Sequence, residues 1–294
     1  MSAVKNRVYI STGAFGRVSV LEILKLCRER GWKGLELSSA ALYDESMRPA
    51  VLKARKHLDF LVHNYFPTPE KPFVLNLASD DPETIRLSRE HCQRAIELCA
   101  ELESPFYSVH SGFCFHAAPR HLGHDQTGLE RIPGEKALGI FQESLGILSD
   151  YAAPRGVGVL FENNVCAPFN LIDGKNELLL AVTPEEILAI ATGVGRKNLG
   201  LLLDVAHLKV SATALGFDAA ESLKALSGLI RGLHLSDNDG QADTNEPVRE
   251  NSWFWTPLLK LLPRGAFWVL EAYCLPPDTI TAQTGLIDSR RASA

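Results

Sequence analysis

The 294 residues, 46% hydrophobic and 22% charged, describe an ordinary globular chain long enough for one large domain with a substantial core. A formal net charge of −5 offers no general affinity for nucleic acid or anionic membranes, and no apolar stretch approaches the ~20 residues of a membrane span. The six cysteines (Cys27, Cys92, Cys99, Cys114, Cys166, Cys274) lack CxxC spacing, and the apolar run after the first charges is too short for a signal peptide, so a cytoplasmic protein with reduced thiols is expected.

In chain order, strands are expected at 8–13 (VYISTG), 34–39 (GLELSS), 58–64 (LDFLVHN), 105–112 (PFYSVHSG), 157–164 (VGVLFENN), 199–207 (LGLLLDVAH), 230–238 (IRGLHLSDN) and 266–273 (AFWVLEAY). Amphipathic segments between them, such as 19–30, 82–103 and 135–152, read as helices. Asp81 and Thr183 precede first-turn prolines as N-caps, and Gly31, Gly156 and Gly265 suit C-terminal caps. Eight strands alternating with helical sequence predict a parallel α/β fold, a closed (β/α)₈ barrel in one domain over 1–294. An open doubly wound sheet is the alternative, but GVGRKNLG (193–200) has the wrong spacing for a dinucleotide turn and precedes its strand.

Active sites of such barrels form at the C-terminal ends of the strands. Those ends carry His63, His110, Glu162, Asp204 with His207, His234 with Asp237, then Asp243 in the following loop, and Glu271. Facing carboxylates repel unless a cation or shared protons intervene. His with Asp or Glu suits Mn²⁺, Zn²⁺, Co²⁺ or Fe²⁺. A divalent-metal site is therefore expected, with Asp204 a ligand and His207 a neighbouring site residue. His57 and His91 fall in helical segments as surface or packing residues. His116, His121 and His124 lie in a loop after strand four (114–128) that reads equally as a lid over the mouth or as a solvated insertion. SWFW (252–255) reads as packing at a helix start, and KARKH (53–57) as the exposed face of helix two.

With FEN (161–163), LDVAH (203–207), HLSDN (234–238) and LEA (270–272) in place, the chain resembles the xylose isomerase-like TIM-barrel superfamily over nearly its whole length. That group includes sugar and sugar-phosphate isomerases and epimerases, inosose dehydratases and the endonuclease IV family. The resemblance to its sugar-active members implies one divalent ion (Mn, Zn, Co or Mg, with no organic cofactor) on Glu162, Asp204, His234 and Glu271. Glu162 and Glu271 would be the catalytic carboxylates. His207 would touch substrate, with His63, His110 and Asp237 lining the pocket. Homo-oligomers are common in that branch. FVLNLAS (73–79) and VHSG (109–112) are similar to endonuclease IV segments, and by that comparison His63, His110, His207 and Asp243 become further zinc ligands. Asn245 departs from that pattern, standing where the family's D-x-H pair has histidine. SSAALYDESMRP (38–49) also lacks the arginine-bearing loop expected of a DNA-inserting enzyme.

The expected function is a metal-dependent isomerase or epimerase of a sugar or sugar phosphate, with a small carbohydrate as partner and neither nucleic acid nor membrane. The alternatives are an endonuclease IV-like zinc phosphodiesterase acting on abasic DNA, a related dehydratase, and a non-catalytic sugar-binding barrel.

Overall fold

Each of the eight apolar runs alternates between two environments, because successive side chains of a strand point to opposite faces. Val8 and Ile10, Leu35 and Leu37, Phe60 and Val62, and Trp268 and Leu270 pack outward under the helices. Tyr9, Leu61, Phe106, Leu160, Leu202, Phe267 and Val269 point inward and form a separate apolar plug. Such double-sided burial suits parallel strands covered by helices.

The computed structural model describes residues 7–121, 125–261 and 265–292. The strands are β1 (Val8–Ser11), β2 (Gly34–Leu37), β3 (Asp59–His63), β4 (Phe106–His110), β5 (Gly158–Glu162), β6 (Leu199–Asp204), β7 (Ile230–Leu235) and β8 (Phe267–Leu270). All neighbours pair in parallel, and β1 pairs with β8, so the sheet closes as an eight-stranded barrel. The open-sheet alternative is thereby excluded. The helices are α1 (Val20–Arg30), α2 (Met47–Ala54), α3 (Pro82–Leu102), α4 (Gly134–Ala152), α5 (Pro184–Val194), α6 (Val205–Leu215), α7 (Ala219–Leu226), α8 (Trp255–Leu261) and α9 (Pro277–Ala292). None of the described helices is long and apolar enough to cross a membrane.

Local chemistry sets the helix ends. Asp81 accepts from Thr84 N at the start of α3, and Thr183 from Glu186 N at the start of α5, each with proline in the first turn. Gly31 and Gly156 adopt the left-handed conformation that closes a helical turn, at φ 72° and 70°. Gly265, expected as a third cap, has φ 109°, and the residues that join it to α8 lie outside the described residues.

The strand ends expected from sequence run long. Thr12–Phe15 turn into a 3₁₀ helix, and residues 205–207 belong to α6 rather than to β6. The cause of the second correction is Asp204, whose Oδ1 accepts from Ala206 N at 2.7 Å and His207 N at 2.8 Å. Two orphan amides thus start the helix within the same LDVAH run. Cys274 is exposed while the other cysteines are buried, and all six are free thiols.

A charged candidate metal centre at the barrel mouth

The same alternation that makes the apolar plug assembles the polar cluster above it. His63, His110, Glu162, Asp204 and Glu271 share the inward parity of the plug residues on their strands, and register places Glu36 opposite inward Leu61 and His234 opposite inward Val269. Register then sets neighbours: His110 lies opposite Glu162, and Asp204 opposite His234.

His234, fully buried, is the hub. Its Nδ1 stands 3.0 Å from Glu162 Oε1 and forms a close ion pair with Glu271 Oε2, while Nε2 donates to Glu36 Oε2 at 3.0 Å. Burial alone would lower its pKa, but Glu271, Glu36 and Glu162 outweigh this and hold it well above the ordinary value. Glu162 shows the opposite balance. Burial favours its neutral form, yet His110, His234 and His63 keep it ionised, well below the usual carboxylate range. His63 is fully buried and takes Ser108 Oγ on Nδ1 at 3.0 Å. Its Nε2 lies 3.1 Å from His110 Nε2 and 3.4 Å from Glu162 Oε2. Burial pulls the pKa of both imidazoles down against the opposing pull of Glu162.

Asp204 uses one oxygen as the α6 cap and leaves Oδ2 buried without a hydrogen bond. Burial, with Glu271, Glu162 and Asp243 nearby, pushes its carboxyl up to about 8 against the pull of His207. His207 donates Nδ1–H to Asn163 O at 2.8 Å, which turns Nε2 toward Asp243 Oδ2 at 3.2 Å. Despite burial it is held well above its ordinary pKa by Asp204 and Asp243. Asn245 donates Nδ2–H to that same Asp243 oxygen at 3.0 Å. Asp237 lies beyond the end of β7, where Lys209 (2.9 Å), Ser252 (2.7 Å) and the Asn238 amide (2.9 Å) occupy its carboxylate, so it braces the β7 loop.

A divalent cation fits this donor set. Glu36 Oε1, Glu162 Oε2, Asp204 Oδ2 and Asp243 Oδ1 are all buried without a hydrogen-bond partner, a costly arrangement for carboxylates. Ligand atoms of Glu162, Asp204, His234 and Glu271 lie within 4.8 Å of one another. His63, His110 and Glu162 form a second such group, sharing Glu162, and Glu36, His63 and His234 a third. Carboxylate oxygens with imidazole nitrogens are suitable for Mn²⁺, Co²⁺ or Zn²⁺.

Several residues of this centre carry no role in the sequence reading. Glu36 is one, although a lone carboxylate between Leu35 and Leu37 poses the same problem as Asp204 at the end of its apolar run. Asn163 is another: it clamps Asp204 by accepting from its amide at 2.8 Å and donating to its carbonyl at 3.0 Å. Tyr273 places its hydroxyl 3.5 Å from Glu271 Oε1. The ring lies over Gly13, where an added Cβ would come within 2.6 Å of it.

Above the cluster opens a cavity of about 890 Å³, lined by His110 and Asp243 on the charged side and by Tyr65, Phe73, Phe113 and Phe169 elsewhere. The long loop after β4 contributes Phe115, Pro119 and Gln126 to its wall. The loop's described histidines do not reach the cluster. His116 pairs with Asp80 at 3.3 Å, and His121 accepts from Ala118 N at 3.1 Å. His124 lies outside the described residues. His91 is buried in α3, stacked 5.1 Å from Tyr65, and His57 is exposed just past α2. Trp255 stacks on Trp268 of β8 at 6.2 Å, the wall packing expected of the SWFW segment.

Comparison with known proteins agrees with this architecture. An uncharacterized protein of Methanocaldococcus jannaschii is 25% identical over 211 residues, spanning 72% of this chain but 62% of the relative, less than two thirds of its length. A solved D-tagatose 3-epimerase-like protein superposes with TM-score 0.73 at 20% identity, covering 97% of each chain. A family 2 AP endonuclease from Brucella melitensis gives TM-score 0.61 at 16% identity over 91% of this chain and 93% of that one. At these identities the structural likenesses speak for the fold. The model of the family described as xylose isomerase-like TIM barrel matches residues 24–283, and with the closed barrel it establishes that the chain belongs to that family.

Proposed function

We propose that the protein is a divalent-metal-dependent isomerase or epimerase of a carbohydrate. The observation that carries this reading is the convergence of Glu162 and Glu271, from β5 and β8, on the same nitrogen of His234 beneath a large cavity. Glu162, Asp204, His234 and Glu271 would hold the ion, which supplies Lewis-acid polarisation of adjacent carbonyl and hydroxyl oxygens.

Two carboxylates approaching from different strands can address two faces of one substrate carbon. One takes the proton α to a carbonyl and the other returns it. His207, oriented by Asn163 O, points Nε2 toward the cavity side occupied by Asp243 and can hold a substrate hydroxyl. His110 would line the pocket beside Glu162, with the buried His63 behind it. The structural likeness to a D-tagatose 3-epimerase-like protein supports a small carbohydrate as substrate.

The test is turnover of ketoses by protein reloaded with Mn²⁺, Co²⁺ or Zn²⁺, alongside a Glu271→Gln variant. Glu271→Gln should abolish turnover while its circular dichroism stays native; full activity in the variant would overturn the assignment.

A second reading, a phosphodiesterase with two or more zinc ions, is favoured by the His63–His110–Glu162 group and its sharing of Glu162. Among the described Lys and Arg residues, Arg17 alone lines the cavity, a weak footing for a polyanionic strand. Two or three zinc ions per chain together with cleavage of abasic DNA would make this the correct reading.

A further inference from the structure

We infer that the carbohydrate bound here carries a large aromatic or comparably apolar substituent, so that the ligand is a glycoside whose sugar ring bears the ketone the proposed reaction needs, rather than a free sugar or a sugar phosphate. This inference rests on the carbohydrate reading above and narrows its substrate class.

The first observation is size. A cavity of about 890 Å³ lies near the top of the range, roughly 300–1,000 Å³, that encloses drug-sized ligands. A single monosaccharide would leave most of it to water. The second is how the lining is divided. The loops after β3, β4 and β5 contribute Tyr65, Phe73, Phe113, Phe115 and Phe169, whereas the carboxylates of the quartet come from β5, β6 and β8. The aromatic wall therefore extends sideways from the charged cluster.

The rings are organised as surfaces. Phe113 and Phe115 stack at 4.5 Å with 27° between their planes, and Tyr65 and Phe73 meet at 5.3 Å. Phe169 stands 50% exposed in a short turn at the cavity wall, which leaves its ring open to a ligand. One ring suffices to stack against the C–H face of a sugar; a wall of several rings gains most from an aromatic partner.

Charge decides against a phosphate. Arg17 is the single Lys or Arg among the described residues lining the cavity, and it is exposed at the rim. A phosphoryl group placed among the phenylalanines would lose its hydration without gaining a bidentate partner.

The experiment is calorimetric titration of the Mn²⁺-loaded protein with 4-nitrophenyl, phenyl and methyl glycosides of glucose, galactose and xylose as carbonyl-free binding probes, with phenol and free ketoses as controls. For at least one sugar, the aryl glycoside should bind about tenfold or more tighter than the methyl glycoside. Phe169→Ala, at an exposed position that the fold does not need, should narrow that ratio several-fold.

Equal affinities for aryl and methyl glycosides, or phenol binding as tightly as phenyl glycoside, would overturn the inference. Binding of free ketoses without any glycoside would overturn it while leaving the isomerase reading intact. If no carbohydrate of either kind bound, both would fall together.

Discussion

Glu36 Oε2 lies 3.0 Å from His234 Nε2, both side chains fully buried, and this pair decides which nitrogen of His234 faces the other carboxylates. A carboxylate on the far nitrogen fixes the ring and raises its basicity as a ligand. Glu36→Gln keeps the size of the side chain but removes its charge. Affinity for Mn²⁺ or Zn²⁺, read by competition with a chromophoric chelator, should fall about 10- to 100-fold. An unchanged affinity would show that His234 needs no such partner.

Asn245 occupies the left-handed region at φ 48°, where asparagine and histidine are both tolerated better than most residues. It shares Asp243 Oδ2 with His207, at 3.0 Å and 3.2 Å respectively. Asn245→His would put a second imidazole beside Asp243 and His207. Zinc content, by mass spectrometry of digested protein, should rise by about one ion per chain, with little change in carbohydrate turnover. A large gain in phosphodiesterase activity instead would favour the nuclease-like reading.

His91 provides a pH dependence remote from the charged cluster. Burial, reinforced by Arg94, pushes its pKa down from 6.5 to about 4. The unfolded chain therefore takes up a proton before the folded one does. The stability carried by the neutral ring is complete above pH 6.5 and falls as pH drops toward about 4, by up to ~1.4 kcal/mol per pH unit. His91→Phe, which keeps the stack on Tyr65, should flatten urea-unfolding stability across that window. The same slope in both proteins would assign the acid sensitivity elsewhere.

Gly232 in β7 makes room for a ring. A Cβ there would sit 2.2 Å from Phe267 Cζ, and that ring is flanked by Tyr9 at 6.4 Å and Phe106 at 5.8 Å. Gly232→Ala should cost about 1–3 kcal/mol in equilibrium unfolding as an overpacked core position. A neutral substitution would mean that the plug can yield.

The barrel was legible from sequence because eight apolar runs, separated by capped amphipathic helices, leave few parallel topologies open. The strand ends were less so. LDVAH reads as continuous strand until one sees that Asp204 caps the helix which begins inside it. The charged cluster was readable where a carboxylate or histidine closes an apolar run, as with Glu162 and His234. Glu36 escaped notice for the opposite reason: it sits within a short strand, and its inward parity becomes apparent once Leu61 is paired with it. Asn163 and Ser108 act through backbone clamps and imidazole orientation, which no residue spacing announces. Asp237 ends the same HLSD run as His234, but where Lys209 and Ser252 would lie was not visible in the chain order.

The apolar plug of Tyr9, Leu61, Phe106, Leu160, Leu202, Phe267 and Val269 stoppers the barrel beneath the charged cluster. Among the described residues, the cavity side is thus the open approach to the site. In the proposed reaction a reactant that enters from that side must depart from it once transformed, and a fresh reactant cannot push it out from behind. Product and substrate compete for the same passage, so accumulated product should slow the forward reaction by occupancy as well as by reversal.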